Sequence, residues 1–168
     1  MKKKIATLTL GLLAVLTAKA QYVPDVPPFA QDKIYASASA SGAGLSYNGS
    51  EKLNFELQAK GGYFFEQNWM VLGNLGYGYH RYAPNTFQVG AGLRYYMEEN
   101  GLYAGLTGNY IHDNGDYDDF MPQVSLGYAF FLNRTVTIEP EIYYNQSLKN
   151  HSDYSGFGFR IGFGIYFE

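Results

Sequence analysis

The sequence predicts an all-β fold: eight antiparallel strands in up-and-down order, closed into a barrel. Three observations carry this. From Lys33 onward, large apolar residues alternate with small or polar ones at a period of two, the spacing of strands with two unlike faces. Short segments of turn-forming residues interrupt the alternation again and again. After the first twenty residues no stretch has helical periodicity, and none is a long apolar run.

The first twenty residues stand apart from the fold. Lys2-Lys3-Lys4, an apolar run from Ile5 to Leu16 and Ala18-Lys19-Ala20 reproduce the three regions of a secretory signal peptide. Cleavage is expected between Ala20 and Gln21. The apolar run is shorter than the ~20 residues a spanning helix needs. Residues 21–32, QYVPDVPPFAQD, hold three prolines and no periodicity, and read as a short extended linker. A single barrel domain is expected over 33–168.

The strands follow in order. The first runs from about Lys33 to Tyr47, with a phase slip near Gly42-Gly44. The second, Leu53 to Phe65, sets Leu53, Phe55, Leu57, Ala59, Tyr63 and Phe65 on one face against Asn54, Glu56, Gln58, Lys60 and Gly62. Trp69 to Tyr82, Thr86 to Met97, Leu102 to His112 and Phe120 to Leu132 alternate in the same way. The seventh, Val136 to Asn145, carries Pro140 on its apolar face, where the missing N–H predicts a bulge or an irregular pairing. The last, Tyr154 to Phe167, turns Phe157, Phe159, Ile161, Phe163, Ile165 and Phe167 one way and mostly glycine and Arg160 the other. Turn chemistry at Asn48-Gly49, Ala83-Pro84-Asn85, Asn100-Gly101, Asn114-Gly115 and Asn133-Arg134 makes each successive pair a hairpin.

Which face points inward decides the surroundings. Eight strands enclose a space only just wide enough for side chains. The bulky face would overfill it, whereas the other face is rich in serine and glycine and leaves room for Glu56, Lys60, Arg94, Glu139, Glu141 and Arg160, three acids against three bases. The bulky face then meets hydrocarbon, because so large an apolar surface on a soluble monomer would aggregate. A closed barrel also satisfies every backbone group in lipid. The expectation is therefore a transmembrane barrel with a polar, plugged lumen. Aromatic girdles fit it, with Tyr63, Phe65, Trp69, Tyr95, Phe130 and Phe167 at one rim and Tyr47, Tyr77, Tyr79, Tyr110 and Tyr144 at the other.

With these features the chain resembles the small bacterial outer-membrane β-barrels, the OmpA transmembrane domain and the OmpX family, over nearly all of residues 33–168. The resemblance implies a cell outer-membrane location, residues 21–32 as a periplasmic linker, and outer-membrane lipid and lipopolysaccharide as surroundings. It also implies an assembly signal in the last strand, read by the outer-membrane insertion machinery, to which Arg160, Gly162, Ile165 and Phe167 correspond; Glu168 follows the aromatic. Both chain ends then lie in the periplasm and the hairpin between the last two strands lies outside. A midpoint between Asn150 and His151 sets Glu141 opposite Arg160, which predicts a salt bridge inside the lumen with Lys60, Arg94, Glu56 and Glu139 nearby.

Composition narrows the function. Removing Lys2, Lys3, Lys4 and Lys19 from the twelve Lys and Arg leaves eight against fifteen Asp and Glu, moving the formal charge from −3 to −7 and arguing against nucleic acid. There is no Cys, hence no disulfide, thiolate ligand or acylated-cysteine anchor. The loop from His112 to Phe120, HDNGDYDDF, gathers Asp113, Asp116 and Asp118 as weak candidates for a divalent cation, although the spacing does not match an EF-hand. His80, His112 and His151 fall toward the outer end, where His151-Ser152-Asp153 invites comparison with lipid A acyl hydrolases and transferases without reproducing their motifs. The reading is a monomeric, non-enzymatic protein without cofactor, with a structural role in envelope integrity or surface contacts and not a general porin. A lipid A modifying enzyme and a narrow ion channel are the alternatives.

Overall fold

The computed structural model describes residues 28–42, 54–80, 85–97, 101–114, 118–149 and 155–167. The strands are β1 (Ile34–Gly42), β2 (Asn54–Glu66), β3 (Trp69–His80), β4 (Thr86–Tyr96), β5 (Leu102–Asp113), β6 (Asp118–Tyr128), β7 (Phe130–Phe131), β8 (Val136–Asn145) and β9 (Gly156–Phe167). Each pairs antiparallel with its neighbours in the sheet, and β1 pairs with β9, so the sheet closes on itself. Segments β6 and β7 are one strand in two pieces, both lying against β8, which makes an eight-stranded barrel.

The break between β6 and β7 locates the effect of Pro140. The pairs Gly127↔Glu141 and Phe130↔Ile138 share one register, which sets Tyr128 opposite Pro140. Pro140 has no N–H to give across that gap. On their other side the same residues stay paired, Tyr128 with Leu102 and the Ala129 amide with the Gly101 carbonyl at 2.9 Å. The irregular pairing expected at Pro140 is present, without a bulge. The register does shift in β2, between Phe64 and Glu66, where Asn68 takes a left-handed φ of 65° to turn into β3. Gly101 does the same before β5, with φ 73° and a would-be Cβ only 2.8 Å from the Ala129 carbonyl.

Burial is inverted relative to a protein in water. Leu57, Leu75, Leu106, Val124, Phe157 and Phe163 are each more than half exposed, while Arg94, Glu139, Glu141 and Arg160 are buried within the ring of strands. At the terminal end, where β1 begins and β9 finishes, Tyr63, Phe65, Trp69 and Phe167 face out, with Trp69 and Tyr95 rings 4.8 Å apart. Tyr77, Tyr79 and Tyr110 face out toward the far end. Tyr95, Phe130 and Tyr144 are half-buried, and Tyr47 lies outside the described residues. So do Gly44 of the expected phase slip, most of the far-end turns and the whole of 1–20.

The linker differs from its expected form at its last residues. Phe29 is buried in the terminal mouth, its ring 4.0 Å from that of Tyr96 and within 6.2 Å of Phe64, Phe131 and Tyr166. Its carbonyl accepts from the Asn68 amide at 2.9 Å, and the Tyr63 hydroxyl donates to Asp32 at 2.5 Å. An apolar ring gains by burial among these aromatic side chains, so 28–32 belong to the barrel.

Candidate functional site: the lumen charge network

Alternation along each strand decides which side chains reach the lumen. β2 contributes Gln58 and Lys60, β4 Arg94 and Tyr96, β5 Tyr103, β8 Glu139, Glu141 and Tyr143, and β9 Arg160 and Tyr166. β8 and β9 are in the register that sets Glu141 opposite Arg160.

Glu141 is the hub. It accepts from Lys60 Nζ at 3.1 and 3.4 Å, from Arg94 Nη2 at 3.3 Å, from the Tyr103 hydroxyl at 3.1 Å and from Arg160 Nε. Glu139 is the second acceptor, with donors Arg94 Nη1 at 3.1 Å, Tyr35 at 2.6 Å, Tyr166 at 2.9 Å and Thr137 at 2.9 Å. The structure brings five of the six interior charges into one cluster. The sixth, Glu56, is half-buried and accepts from Ser41 at 3.2 Å.

Two aromatic supports recur. Tyr103 lies across from Gly127, whose would-be Cβ would fall 2.3 Å from the Tyr103 ring, and Arg94 stacks on that ring at 4.0 Å. Tyr143 lies across from Gly158 with the same 2.3 Å clearance, and Arg160 stacks on it at 4.1 Å. Glycine lets the ring lie flat on the wall, and the ring offers its negative face to a guanidinium. The sequence reading names the glycines and the arginines but passes over Tyr103 and Tyr143. A tyrosine directly across a hairpin from an inward glycine is the signal that finds them.

Toward the far end the charges give way to amides. Gln58 and Gln88 donate to Asn74 at 3.3 and 3.4 Å, Asn74 to Asn109 at 3.1 Å, and Asn109 to Gln123 at 3.1 Å. Arg160 Nη1 joins the layers by donating to Gln58. Toward the terminal end Tyr35, Tyr96, Tyr103 and Tyr166 close the lumen beneath Phe29, with Tyr96 and Tyr166 hydroxyls 2.9 Å apart.

The other candidate residues are dispersed. Asp113 is buried while Asp118 is exposed, its carboxylate 2.7 Å from His112 Nδ1; Asp116 lies outside the described residues. The hydrogen bond from His112, then that from Tyr110, hold the Asp118 carboxyl below its ordinary range. Asp119 accepts from the Ser147 hydroxyl and from the Lys149 amide, folding 146–149 over the start of β6. Among the described residues no three His, Cys, Asp or Glu side chains gather as a metal site. His151, Ser152, Asp153, the His80 side chain, and Ala20 and Gln21 lie outside the described residues. In the last strand Arg160 and Gly162 face inward, Ile165 and Phe167 outward.

No family model matches this chain, and no curated protein does. Solved structures do. The N-terminal β-barrel domain of OprF from Pseudomonas aeruginosa is 14% identical, with a TM-score of 0.59 over 82% of this chain and 98% of that one. The outer membrane protein OprG from Pseudomonas aeruginosa is 15% identical, with a TM-score of 0.58 over 86% and 100%. Ail, the attachment invasion locus protein of Yersinia pestis, is 17% identical, with a TM-score of 0.51 over 82% and 99%. At these identities the likeness is one of architecture: the chain has the fold of the small eight-stranded outer-membrane β-barrels.

Proposed function

We propose that the protein is a monomeric integral protein of the bacterial outer membrane, with a structural role in envelope integrity or in surface contacts made by its far-end loops, and not a general porin. The inverted burial supports this reading most directly. An exterior of exposed Leu, Val and Phe is stable in hydrocarbon and aggregates in water. A ring of charges paired at 2% to 8% side-chain exposure fills the space a porin keeps open for solutes. In this reading 1–20 direct export and are removed after Ala20, and Arg160, Gly162, Ile165 and Phe167 are read by the insertion machinery.

Fractionation tests it. The protein is expected in outer-membrane fractions, bathed in lipid and lipopolysaccharide, and to migrate on SDS gels at different positions with and without boiling. Recovery in the soluble fraction with no such shift overturns membrane residence. Planar bilayers test the plug: a steady open-channel conductance from the purified barrel overturns the closed lumen.

A further inference from the structure

The pairing of β1 with β9 closes the sheet on itself, over Ile34↔Phe167 to Ala40↔Ile161. At the terminal end of this seam, residues 29–33 turn into the mouth of the barrel. Asp32 makes the turn with a φ of 69°, a conformation uncommon outside glycine, and its carboxylate accepts from the Tyr63 hydroxyl.

The backbone of this strap is fastened to one side of the seam. The Asp32 amide donates to the Phe64 carbonyl at 2.8 Å, the Phe64 amide to the Lys33 carbonyl at 2.9 Å, and the Asn68 amide to the Phe29 carbonyl at 2.9 Å. All three bonds go to β2 or to the turn after it. The Phe29 ring reaches across to the other side. Phe64 of β2 and Tyr96 of β4 flank it on the β1 side; Phe131 of β7 and Tyr166 of β9, each with its centroid 5.8 Å away, flank it on the β9 side. Together they bury the ring to 4% exposure. In a sheet whose β1 and β9 have not met, the bonds to β2 are still available, but half of the aromatic enclosure is missing. Full burial of the ring is therefore gained on closure itself.

We propose that residues 29–33 form a clasp on the β1–β9 seam, which engages once the two strands have met and sets how slowly the barrel reopens. A contact absent before the closing step leaves the folding rate alone and appears in the unfolding rate. The clasp is a device for kinetic stability.

The test uses the mature chain refolded in detergent, with the folded fraction read from gel mobility without boiling. Phe29→Ala is expected to speed unfolding in concentrated urea by about a hundredfold or more, and to leave the folding rate within about twofold. Phe29→Leu, which keeps an apolar side chain in the mouth, is expected to show the same partition on a smaller scale if the first variant does not refold. The chain has no cysteine, so Ala36→Cys with Ile165→Cys, at facing positions across the seam, locks it by a disulfide. In the oxidised pair the effect of Phe29→Ala on unfolding is expected to fall to about threefold or less, and reduction is expected to restore it. Folding slowed as much as unfolding is accelerated, an unfolding rate unchanged by Phe29→Ala, or an acceleration undiminished in the oxidised pair each overturns the proposal.

Discussion

Replacing Glu141 by Gln removes one negative charge and almost no volume. Glu141 faces three cations and a tyrosine hydroxyl. A pair at about 4 Å is worth about 4 kcal/mol at an effective dielectric of 20, so three pairs amount to about 12 kcal/mol of gross attraction. Desolvation offsets most of it, and breaking a buried pair by removing one partner typically costs about 3–5 kcal/mol net. The amide also sets an N–H donor among donors, so the upper part of that range is expected. Glu139→Gln is the internal control: three of its four donors are neutral hydroxyls, and the expected loss is about 2 kcal/mol. Urea titration of the barrel in detergent, with the folded fraction read from gel mobility without boiling, measures both. A loss under about 1 kcal/mol for Glu141→Gln, or a larger loss for Glu139→Gln, refutes the hub assignment.

Three further outcomes are expected. Phe29→Ala should cost about 3–5 kcal/mol in the same titration, since a buried ring is removed from contact with Tyr96; no change would return 28–32 to the status of a linker. Gly92→Ala should destabilise by about 1–3 kcal/mol, because its Cβ would lie 2.2 Å from the Leu106 carbonyl, whereas Gly61→Ala, with nothing within 4 Å, should be neutral. His112→Ala should raise the Asp118 pKa toward its ordinary value, read by NMR titration of the carboxyl carbon. The depressed Asp118 favours the folded form above its unfolded pKa, and that contribution fades as pH falls through the folded value.

Strand positions were legible because a period of two has only two phases, and the lumen of a narrow barrel rejects one of them. The register of Glu141 against Arg160 followed from one hairpin midpoint. The gathering of Lys60, Arg94 and Glu139 near that pair also follows from the narrow lumen; what escapes is which donor meets which carboxylate, and that Glu56 turns to Ser41. Lys60 and Arg94 reach Glu141 across the lumen, from strands that are not its neighbours, so the pattern places them near the pair without fixing their partners. Phe29 was hidden by the prolines around it, which mark a segment as irregular without saying whether it docks. Pro140 declares a missing donor in the sequence, but its consequence falls on the facing strand and leaves the register of β8 unbroken.

The lumen network also answers a problem the exterior leaves open. A slip of one residue between β8 and β9 exchanges faces and is excluded by hydrophobicity alone. A slip of two, about 7 Å, keeps Phe and Ile outside and is invisible to lipid. Inside, one direction of slip sets Tyr143 against Arg160 and Glu141 against Gly162. The other leaves Arg160 opposite Glu139 and Tyr143 opposite another glycine, Gly156, but carries Glu141 to Gly158, away from Lys60 and Arg94. Either way a buried cluster loses partners, at a cost of several kcal/mol. The exterior selects the face and the interior charges select the register, so the network is what makes this sequence close in one way.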